Sequence, residues 1–129
     1  MRALIVLLVV TACGGAQHPK SSGMRELAAE MDAEMAEVAR IVHAEAGRRQ
    51  CAAMATQLRA VFARMARSIE RAHTAQQDPA LAKELTTEMR RYDAASQQRV
   101  AQIEQDFTVD ATCAADPAVR DVLMTMPTL

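Results

Sequence analysis

The sequence predicts an all-α protein, a small antiparallel helical bundle of three long helices plus a short C-terminal helix. Two observations carry this. The region from residue 24 onward is rich in Ala, Glu, Gln, Arg and Met, has only Phe62, Tyr92 and Phe107 as aromatics, and has no glycine after Gly47. Those residues favour helix over strand. Its apolar residues also recur at three- and four-residue steps, the spacing of one helix face.

The first helix is read from Met24, Leu27, Ala28, Met31, Met35, Val38 and Val42, and ends near Gly47. Met54, Leu58, Val61, Phe62, Met65 and Ile69 form the second stripe. No proline separates the two, and a glycine inside a helix costs only about 1 kcal/mol. Phase decides the matter: carried past Gly47 at 3.6 residues per turn, the first stripe misses Met54 and Leu58 by about half a turn. A chain that folds back at Gly47 brings both apolar faces together. Charge agrees with the hairpin. Residues 24–47 carry Glu26, Glu30, Asp32, Glu34, Glu37 and Glu45 against Arg25 and Arg40, and residues 48–73 carry six arginines against Glu70.

The third helix is expected to start at Asp78-Pro79 and return towards Cys113, with Leu81, Leu85, Met89, Tyr92, Val100, Ile103 and Phe107 on its inner face. A short fourth starts at Asp116-Pro117 and carries Val119, Val122, Leu123 and Met126. Both starts pair an aspartate suited to the N-cap with a proline at the first helical position, where its missing N–H is not needed. The last residues, from Met124 to Leu129, are expected to tuck over the bundle end.

The segment before the bundle has a different character. Arg2 is followed by an unbroken apolar run over residues 3–10, and Val10-Thr11-Ala12 sets small residues directly before Cys13. The run is too short to span a membrane as a helix and has the length of an export-signal centre. This segment resembles the signal peptide and lipobox of bacterial lipoproteins, with Val10-Thr11-Ala12-Cys13 as the lipobox. The resemblance implies removal of residues 1–12, lipid on the Cys13 thiol and attachment to the cell envelope. Gly14, where an aspartate would favour the inner membrane, points to the outer membrane facing the periplasm. Residues 13–23 then form the anchor and a Gly/Ser/Pro-containing tether that includes His18, and residues 24–129 the bundle domain.

With Cys13 committed to lipid, Cys51 and Cys113 are left as a pair in an oxidising compartment. The second helix runs away from Cys51 for about 40 Å and the third returns over a similar length, so both thiols belong at one end of the bundle. A structural disulfide is the expectation.

The sequence holds no glycine-rich phosphate loop, no Gly-x-Ser-x-Gly, no His-Glu-x-x-His and no Cys-x-x-Cys-His, so no catalytic residue is assigned and no enzyme is expected. Near-neutral net charge of -1 and scarce stacking aromatics argue against nucleic acid. A bundle of this size resembles the four-helix cytochromes in architecture alone, without a haem motif. His43 and His73 fall at different heights, whereas Met24 and His73 fall at the same height and are the candidate axial pair. Thioethers suit Cu(I), and Met31–Met35 and Met124–Met126 are close in sequence, but methionine on a core stripe is ordinary flexible packing. No cofactor is therefore assigned. The expected role is a non-catalytic interaction or structural module with an envelope protein partner; the alternative is a carrier of haem, copper or an apolar molecule, and a chaperone-like holder of unfolded clients is a third.

Overall fold

The computed structural model describes residues 22–129, and these are mostly helical with no strand among them. Helix α1 spans Met24–Ala46 and α2 spans Cys51–Gln76, packed side by side as an antiparallel hairpin. The acidic and basic faces meet as their charges require. Glu37 takes Arg64, and seven residues back along α1 and forward along α2 Glu30 takes Arg71 at 2.6 Å. Exposed pairs of this kind contribute only tenths of a kcal/mol each, so they set register more than stability.

The hairpin turns where the stripes change phase, but Gly47 is not the residue that makes it turn. Gly47 has ordinary right-handed helical dihedrals, and Arg49 adopts the left-handed conformation at φ 54°. The Arg49 N–H donates to Ala46 O and the Gln50 N–H to Glu45 O, both at 3.0 Å. This is the Schellman arrangement, with Arg49 at the position that glycine usually holds.

Helix α3 spans Pro79–Met89 and α6 spans Pro117–Met124. Both open as the sequence indicates: Asp78 accepts from the Ala80 and Leu81 amides, and Asp116 from the Val119 amide at 3.1 Å.

The expected third long helix is broken. After Met89 the chain tightens into a 3-10 turn, Arg90–Tyr92, and resumes as α4, Asp93–Val109. Between Tyr92 and Val100 no large apolar side chain holds the axis to the core, and α4 contains no fully buried residue. Val100, assigned to the inner stripe from sequence, is exposed. The face that α4 turns to α1 is instead partly ionic. Arg99 grips the Asp32 carboxylate and donates to its backbone carbonyl at 3.2 Å, and Asp106 pairs with His43 at 3.1 Å. Ile103 and Phe107 add the apolar contacts.

A four-residue helix α5, Thr112–Ala115, carries Cys113 to Cys51. Helix α6 then lies against α2, burying Val119 and Val122 with Met54, Leu58, Val61 and Phe62. The core is thus in two parts. One runs from the disulfide to Met65; the other gathers Met24, Leu27, Ala28, Ala72, Ala75 and Leu85 at the far end.

Candidate functional site

Between these two parts lies a cavity of about 220 Å³. Among the described residues five methionines line it: Met31 and Met35 from α1, Met65 from α2, Met89 from α3 and Met126 from the C-terminal tail. Each reaches it for a local reason. Met31 and Met35 occupy the α1 stripe at the point where the two cores part, and are half-buried where Leu27 and Val38 on either side are closed off. Met65 holds the same place on α2. Met89 is the last residue of α3, just before the turn that swings the chain away. Tyr92, in that turn, brings an aromatic ring to the wall.

The tail does not tuck over the bundle end as expected. Met126, Pro127 and Leu129 come to the middle of the molecule and form one side of the cavity. Met126 and Leu129 remain 37% and 56% exposed, so this is the side open to solvent. The sequence pair Met124–Met126 is split, because Met124 stands 86% exposed on the surface.

Glu34 is the polar feature that sequence reasoning missed. It also lines the cavity, yet only 7% of it reaches solvent. Its carboxylate accepts a 2.9 Å hydrogen bond from the Ser68 hydroxyl on α2. Burial pushes the carboxyl above its ordinary range. The Ser68 hydrogen bond opposes this, Glu30 adds to it, and the Arg64 and Arg67 charges oppose it. A signal for the pair was present. Leu27, Met31, Glu34, Val38 and Val61, Met65, Ser68, Ala72 advance by the same four-three-four steps, so each helix places one polar residue in an otherwise apolar row.

The other residues singled out from sequence fall as follows. Cys51 and Cys113 are joined as a disulfide, with Cα atoms 5.0 Å apart. Met24 sits in the far apolar core at the height of Ala72, but His73 is exposed and neither residue lines the cavity. The two do not form an axial pair. His43 is taken up by Asp106. Cys13, the Val10-Thr11-Ala12 segment before it and His18 lie outside the described residues. Ser22, just ahead of α1, donates to Glu84 on α3 and accepts from the Met24 amide at 3.3 Å.

Chemically, the arrangement can enclose a small apolar body and offer it a carboxylate. Among the described residues no group of three or more His, Cys, Asp or Glu side chains is set to hold a metal ion. No described helix is long and apolar enough to cross a membrane. Comparison of the chain with protein-family models, curated proteins and solved structures finds no match.

Proposed function

We propose that the protein is a non-catalytic binding module, held by lipid on Cys13 at the periplasmic side of the outer membrane, whose methionine-lined cavity takes a small and largely apolar guest. The observation behind guest binding is the convergence of five methionines, from three helices and the tail, on one space. Unbranched thioether side chains adapt to irregular guests, and apolar pockets with a few convergent polar groups are the usual form of small-molecule sites. The anchor rests on the ordered signal in residues 1–13. At about 220 Å³ the cavity has room for roughly ten non-hydrogen atoms at interior packing density, far too few for haem.

Copper is less well served by this geometry. Thioethers that close on a single ion bring their sulfurs to one point, whereas here they stand around open volume.

The test is native mass spectrometry of protein released gently from its own envelope. A small adduct that disappears on denaturation is expected. The other reading, an interaction module with a protein partner, draws on Val109 and Met124, which stand 79% and 86% exposed. Single exposed apolar side chains are common, so this support is weaker. Adduct-free protein together with one recurrent crosslinked partner would move the weight there.

A further inference from the structure

We infer that the guest is a small lipophilic cation, a positive centre on an apolar body of about ten non-hydrogen atoms, recognised by Glu34 and Asp93 at the methionine cavity. The inference rests on the guest-binding reading above and names the chemistry of its ligand.

The lining has charge of one sign. Asp32, Glu34 and Asp93 contribute carboxylates, and among the described residues no lysine, arginine or histidine lines the space. Asp32 is already engaged by Arg99 through both terminal guanidinium nitrogens. Glu34 and Asp93 remain, the first buried and the second exposed at the start of α4. An anionic guest would meet these carboxylates with no cation among the described lining residues to offset them. A neutral guest would strip further water from Glu34 and return nothing. A cation in the cavity supplies at short range a positive charge that no described lining residue offers this buried carboxylate. The rest of the wall suits the same ligand, since Tyr92 offers an aromatic ring and the thioethers offer polarisable sulfur. Arg64 and Arg67 act on Glu34 from outside the cavity, and Arg64 is itself held by Glu37.

The test compares benzyltrimethylammonium with neopentylbenzene, its uncharged carbon isostere. Each is titrated calorimetrically into the mature chain carrying Cys13→Ser, which avoids detergent. The cation is expected to bind about tenfold more tightly than the isostere, and Glu34→Gln to remove most of that preference. Glutamine keeps an acceptor for Ser68, and Asp93→Asn repeats the test at an exposed position without touching the buried pair. Equal or tighter binding of neopentylbenzene overturns the charge preference and leaves guest binding standing. A preference that survives in the Glu34→Gln, Asp93→Asn double variant overturns it too. If neither probe binds, the guest-binding reading falls with it.

Discussion

Glu34 on α1 and Ser68 on α2 share a 2.9 Å hydrogen bond inside the helix pair, and it is the one place where each apolar stripe is interrupted by a polar residue. The bond satisfies the carboxylate without neutralising it. Burial still raises the Glu34 carboxyl, so folding favours its protonated form. The stabilising contribution is therefore complete below the ordinary value of 4.5 and is lost as pH rises through the higher folded value. Above pH 4.5 the buried carboxyl therefore weighs against the fold.

It follows that Glu34→Gln raises the thermal midpoint at pH 7, and that the gain shrinks to nothing as pH falls below about 4.5. Melting curves of both proteins across this range check the sign. A variant less stable than the parent at pH 7 would contradict it.

Ser68→Ala should act in the opposite direction. It strands a buried carboxylate, which costs about 1–3 kcal/mol, and drives the Glu34 carboxyl higher still. Because the loss arises from the unpartnered Glu34, adding Glu34→Leu to Ser68→Ala should recover most of it. A double-variant cycle by chemical denaturation measures this coupling.

The Cys51–Cys113 bridge closes a separation of 62 residues. In the chain-entropy picture a loop of that size contributes about 4 kcal/mol, a large share of a small domain's stability. Reduction, or Cys51→Ser with Cys113→Ser, should lower the melting midpoint by on the order of 20 °C. Scanning calorimetry with and without reductant gives the value, and an unchanged midpoint would mean that the helices alone hold this end shut.

Arg49 combines a strained backbone with a useful side chain. Its left-handed φ costs about 1–2 kcal/mol in a non-glycine residue. Its guanidinium donates to Asp110 at 2.9 Å, tying the α1–α2 turn to the segment that leads into Cys113. Asp110 also accepts from the Thr112 hydroxyl and amide, and these bonds with Arg49 hold its carboxyl down to about 2. Arg49→Gly should be neutral or slightly stabilising, because relief of strain offsets an exposed ion pair. Arg49→Ala keeps the strain and loses the pair, and should destabilise. Urea denaturation of both variants separates the two effects.

The sequence made the helices legible because two strong signals coincided. Asp-Pro starts mark α3 and α6 by local chemistry, and the phase jump between Val42 and Met54 forces a hairpin. The opposed charges of α1 and α2 then meet at Glu37–Arg64 and Glu30–Arg71. The exact turn residue escaped because its geometry falls on Arg49, two positions past the glycine that attracted notice. The break at residues 90–92 escaped because Val100 and Ile103 both look like core, and only the ion pairs of Arg99 and Asp106 decide which face turns inward. The site was the least legible part. Met31, Met65, Met89 and Met126 are far apart in the chain, and the stripes that predicted packing also hid a gap between two cores. Glu34 and Ser68 could have been found by asking what each stripe lacks.

The central claim, that this gap is a binding site, is most directly tested by the methionine methyl groups. With carbon-13 on the methionine methyls of a Cys13→Ser chain that starts at residue 13, benzyltrimethylammonium should shift Met31, Met35, Met65, Met89 and Met126 together along one saturable curve. Met24 and Met54, in the packed cores, and Met124, on the surface, should stay in place. Movement of Met124 alone, or of none of the five, would contradict the account.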